Sequence, residues 1–67
     1  MENFLKVLEE MVKEGKEKVS LQEVWIRYRR KFGELSWREF KFMAKRAEEE
    51  GYWVREGVIF KFIREKF

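Results

Sequence analysis

Taking Phe40 as the centre of a buried helical stripe and stepping about 100° per residue sets Arg38, Lys41, Phe42, Lys45 and Glu49 on the opposite face, with Arg46 at its margin. Four of these six side chains are cationic. A guanidinium can bond guanine O6 and N7 together, so Arg38, in the first turn, is suited to a base edge. Lys41 and Lys45 lie one turn apart and suit phosphates or guanines, while the amides and dipole at the helix start near Ser36 and Trp37 favour an adjacent phosphate. The stretch contains no Asn or Gln, the side chains that read adenine bidentately, so specificity would rest on Arg38, thymine-methyl contacts and DNA shape. Phe42 is an aromatic among cations, open to a thymine methyl, to a protein surface, or to solvent alone. The same residues also fit a plain solvated helix face.

Arg27, Arg29, Arg30 and Lys31 form a second basic group at the end of the preceding helical stretch. Cations there suit the negative end of the helix dipole. They also suit a polyanion, with Arg29, Arg30 and Lys31 holding phosphates beside the groove that the next helix would occupy. Both readings stand on the sequence. Electrostatics alone does not separate the two. As a block, residues 27–46 carry eight basic and two acidic side chains, whereas the flanking stretches 1–26 and 47–67 are slightly acidic, within a total of +3, a distribution that looks like a footprint for phosphate or a solvated surface.

The composition excludes much else. There is no Cys, His, Asp, Pro or Thr, and Asn3 and Gln22 are the only amide side chains. Thiol or Ser-His-Asp nucleophiles, Cys/His zinc sites and disulfide scaffolds all need residues the chain lacks, so neither an enzyme nor a cofactor is expected. No apolar run exceeds three residues, as at Val24–Ile26, Tyr52–Val54 and Val58–Phe60, against the roughly 18 to 20 of a membrane span. With no signal-peptide pattern at the start, the expectation is a soluble cytoplasmic protein with no membrane partner and no small-molecule substrate. Abundant Glu, Lys and Arg with few amides match a hyperthermophile bias, and also a computational design.

Sixty-seven residues support one α+β domain. Phe4, Leu5, Leu8, Met11 and Val12 mark the inner face of a helix over 2–14, which Gly15 stops. Lys18-Val19 fits a short extended piece. Ser20 to Glu23 has the form of a capping box, with Val19 and Val24 as its hydrophobic staple, and starts a helix over 21–32 whose face is Leu21, Val24, Trp25, Tyr28 and Phe32. Ser36 to Glu39 repeats the box, with Leu35 and Phe40 as staple, and starts a helix over 37–50 with Phe40, Met43, Ala44 and Ala47 inward. Residues 52–63 are β-branched and aromatic around Glu56-Gly57, which predicts a hairpin turning there. Both hairpin faces are partly apolar, so its register is not readable. Trp53, Phe60, Phe62, Ile63 and Phe67 exceed what one small face can bury, and some of that surface is expected to meet a partner, such as a second copy.

This order, with the Phe32-Gly33-Glu34-Leu35-Ser36 junction and the run from Glu49 through Arg55 into Gly57 and Val58-Ile59-Phe60, resembles the winged-helix family of helix-turn-helix DNA-binding domains, over Phe4 to Ile63. The resemblance implies a thermophilic archaeal or viral regulator whose helix 37–50 enters the major groove of double-stranded DNA. It implies base contacts from Arg38, Lys41, Lys45 and Phe42, and backbone contacts from Arg29, Arg30, Lys31, Ser36, Trp37, Arg46 and Arg55, the one basic residue of the wing tip Arg55-Glu56-Gly57. It also implies that Lys18-Val19 pairs with the hairpin as a third strand. Other members of the family bind protein, so an interaction module using exposed aromatics, or a homodimer, is a second expectation, and a designed domain without natural function is a third.

Overall fold

The computed structural model describes all 67 residues, in the order α1 (Glu2–Lys13), β1 (Lys18–Ser20), α2 (Leu21–Phe32), α3 (Trp37–Glu49), β2 (Trp53–Glu56) and β3 (Ile59–Phe62), closed by a single 3-10 turn, Arg64–Lys66. Three helices and a three-stranded antiparallel sheet make an α+β arrangement consistent with a winged-helix layout.

Helix α1 buries Phe4, Val7, Leu8, Met11 and Val12, a stripe at i, i+3, i+4, i+7 and i+8. Val7 is fully buried and Leu5 only half-buried, which rotates the inner face slightly from the one expected. Ser20 caps α2 through a complete box: its hydroxyl accepts from the Glu23 amide at 3.2 Å, and the Glu23 carboxylate accepts from the Ser20 amide at 3.2 Å. At α3 only half the box forms. Ser36 accepts from the Glu39 amide at 3.1 Å, but the Glu39 carboxylate makes no return bond and stays exposed. Helix α3 ends with the Gly51 amide bonded to the Glu48 carbonyl and the Tyr52 amide to the Ala47 carbonyl, the paired bonds of a Schellman motif. Gly51 supplies the positive φ, +84°, which that turn requires.

Strand β3 lies in the middle of the sheet. Val19 pairs with Phe60 on one side and Arg55 with Phe60 on the other, and Trp53 faces Phe62. The inner face therefore carries Val19, Trp53, Phe60 and Phe62, all buried, while Lys18, Val54 and Lys61 are exposed on the outer face. The short strand expected at Lys18-Val19 is present, one residue longer. The hairpin turns at Gly57-Val58, one residue later than expected, because Glu56 pairs with Ile59 as the last rung. Gly57 has φ +67° and Val58 has no positive φ, as a type II′ turn demands.

The thirteen buried residues are all apolar, and no buried side-chain polar atom lacks a partner. Trp53 sits among Phe4, Phe60 and Phe62, with ring centroids at 5.7, 4.5 and 6.0 Å. This overturns the expectation that Trp53, Phe60 and Phe62 offer apolar surface to a partner. The inner face of the sheet closes on α1 and α3, so all three rings are covered within the chain. Phe67 is half-buried, folded back against Tyr52 and Phe62. Phe42 is the one aromatic that remains exposed.

Candidate nucleic-acid interface

The cationic face of α3 follows from what its other face buries. Phe40, Ala44 and Ala47 turn into the core, and Trp37 packs between Trp25 and Phe40 at 4.9 and 5.4 Å, which fixes the helix about its own axis. The Trp25 indole N–H donates to the Leu35 carbonyl at 3.1 Å and ties α2 to the turn before α3. Arg38, Lys41, Phe42 and Lys45 are left exposed together, at i, i+3, i+4 and i+7. Phe42 shows 70% of its surface.

The ion pairs divide the basic residues into two groups. Arg38, Lys41 and Lys45 have no carboxylate oxygen within 4.0 Å, and neither has Arg30. Most of the remaining expected contacts are engaged inside the chain. Arg29 bonds Glu34 at 3.2 Å and lies over the Trp25 ring at 4.9 Å. Lys31 reaches across to Glu10 of α1. Arg46 pairs with Glu50 at 3.1 Å, and Arg55 covers Phe60 at 5.0 Å with Glu48 at 4.0 Å.

The trio Arg29, Arg30 and Lys31, expected to act together beside the turn, is not assembled. The three residues have different surroundings: Arg29 engages Trp25 and Glu34, Lys31 engages Glu10 of α1, and Arg30 is exposed at the edge of a groove that Met11 and Ile26 also line. Trp37 is likewise half-buried in an aromatic cluster, so only its main-chain amide is available at the helix start. The Ser36 hydroxyl accepts from the Glu39 amide, which leaves its O–H to donate.

Arg27 bridges Glu10 and Glu14, and Lys31 joins Glu10, forming a four-residue clamp between α1 and α2. Hydrogen bonds from Lys31 and Arg27 hold the Glu10 carboxyl below its ordinary range, and the bond from Arg27 does the same for Glu14. Arg27 is raised in turn, chiefly by Glu14. The clamp removes two of the four cations of α2 from the exposed charge, which concentrates free positive charge on α3.

Two residues enter the picture only with the structure. Val58 stands at the tip of the hairpin, 90% exposed, where the sequence suggested the first residue of a strand. Lys61 is an unpaired cation on the outer face of β3, opposite Lys18. Their placement depends on hairpin register, so the alternation of the segment could reveal them only once the turn was located.

No helix is long and apolar enough to cross a membrane, and no cluster of carboxylates is arranged to hold a metal ion. Comparison with family models, curated proteins and solved structures finds no match.

Proposed function

We propose that the chain is a small winged-helix DNA-binding protein, a transcriptional regulator or DNA-associated factor, that inserts α3 into the major groove of a duplex. The observation that carries this reading is the run of three exposed, unpaired cations, Arg38, Lys41 and Lys45, on one face of α3, beside nine ion pairs that engage eight basic residues outside that helix. An α-helix fits the major groove, and free cations gain most from displacing phosphate counterions because they give up no internal partner. Arg38 and the amides at the start of α3 enter first. The carboxylates Glu48, Glu49 and Glu50 gather at the other end, which phosphates repel.

Fluorescence anisotropy of a labelled mixed-sequence duplex tests this. Three to five phosphate contacts give a slope of log K against log salt of about −3 to −4.5. Absence of salt-dependent binding at low ionic strength overturns the reading. A protein-docking module is the second reading, favoured by the exposure of Phe42 and Val58, and it becomes the leading one on that outcome.

A further inference from the structure

We infer that Phe42 is a specificity residue that reads the 5-methyl group of a pyrimidine in the major groove, about two base pairs from a guanine held by Arg38. The inference rests on the groove-binding reading above and refines it.

Phe42 is 70% exposed in the middle of the free cationic stripe, between Arg38, one turn before it, and Lys45, nearly one turn after. Any duplex that meets these cations meets the ring as well. A phenyl ring offers no hydrogen bond, so pressing it on the polar edge of guanine, cytosine or adenine strips water from donors and acceptors without replacing it. The one apolar group on the floor of the major groove is the C5 methyl of thymine, a group that 5-methylcytosine shares. Stacking on a base is closed to it while the duplex stays paired.

The other exposed side chains of the stripe are Arg38, Lys41 and Lys45, all hydrogen-bond donors, which gain most from the paired acceptors of guanine or from phosphate and make only single bonds to adenine N7 or thymine O4. Phe42 is thus the one group of this stripe suited to the thymine methyl. Its spacing from Arg38, four residues or about 6 Å along the helix axis, spans about two base-pair steps.

The test selects preferred sites from a randomised duplex pool, then measures affinity for one such site carrying thymine, deoxyuridine, cytosine or 5-methylcytosine at the position in question. Loss of the methyl from thymine is expected to weaken binding about fourfold, the worth of one buried methyl group. Phe42→Ala should bind thymine and deoxyuridine equally with the salt slope unchanged, and Phe42→Leu should retain discrimination. Ala and Leu both suit an exposed helical position, so the variants fold. An equal gain on methylating cytosine assigns the methyl from either base, whereas a gain confined to thymine assigns thymine. Salt-dependent binding by the native protein with no preference between thymine and deoxyuridine overturns the inference alone. Discrimination that survives Phe42→Ala does the same. Failure of every duplex to bind overturns both this inference and the groove-binding reading.

Discussion

The indole N–H of Trp53 donates to the main-chain carbonyl of Ala44 at 3.0 Å, inside the core, joining the first hairpin strand to the middle of α3. The bond reaches nine residues along the chain and engages the helix on the side opposite its free cations. Hairpin and cationic face are therefore set relative to each other by a buried, directional contact. Trp53→Phe keeps an aromatic ring but removes part of the indole volume and the donor, leaving a buried carbonyl with one partner fewer. The expected cost is about 1–2 kcal/mol, against about 3–5 kcal/mol for Trp53→Ala, read from urea denaturation.

The division between free and paired cations predicts unequal effects on DNA binding. Lys41→Ala with Lys45→Ala should flatten the slope of log K against log salt by about 2. Lys31→Ala should leave that slope nearly unchanged, because Lys31 is already committed to Glu10. Anisotropy titrations at several salt concentrations separate the two cases, and an equal loss from both would contradict the division.

The clamp between α1 and α2 predicts acid sensitivity. Glu10 and Glu14 titrate below their ordinary range when folded, so the unfolded chain binds protons more readily than the folded one as the pH falls. Their contribution is whole above the ordinary carboxylate pKa and is lost as the pH drops through the lowered folded value. Thermal unfolding followed by circular dichroism should show the melting temperature falling in that acidic window. The fall should be shallower in Glu10→Gln, whose melting temperature at neutral pH is already reduced.

At the hairpin tip, Gly57→Ala is expected to cost about 1 kcal/mol, since an alanine at φ +67° is strained even in open space. Val58→Lys, by contrast, should leave stability unchanged because the side chain is 90% exposed. If the tip meets phosphates in the proposed complex, the new lysine steepens the salt slope by about 0.9. An unchanged slope places the tip away from the duplex.

Much of this arrangement is legible before any coordinates. Ser20 and Ser36 mark the starts of α2 and α3 because capping is a local event, decided within four residues. The exposure of Arg38, Lys41 and Lys45 follows from the 3.6-residue period once Phe40 is taken as buried. The failures concern partners far apart in the chain. Trp53 reads as surplus apolar surface because its burial depends on the strand register, which hangs on whether the turn lies at Glu56-Gly57 or Gly57-Val58. Lys31 reads as a phosphate contact because its carboxylate is 21 residues away, brought near only by the way α1 crosses α2. The half-formed box at Ser36 has a similar origin: four residues permit the return bond from Glu39, and nothing in them compels it.

The order β1-β3-β2 also governs when the molecule can assemble. Its central strand is the last of the three to be synthesised, and Val19 must wait for Phe60, 41 positions downstream, before it gains a neighbour. On a ribosome the three helices would emerge with Phe4, Phe40 and the inner side of α1 still uncovered. Closure then comes as one late event, when residues 53–62 clear the exit tunnel and the hairpin docks. Such long-range closure slows folding relative to a helical bundle of the same length.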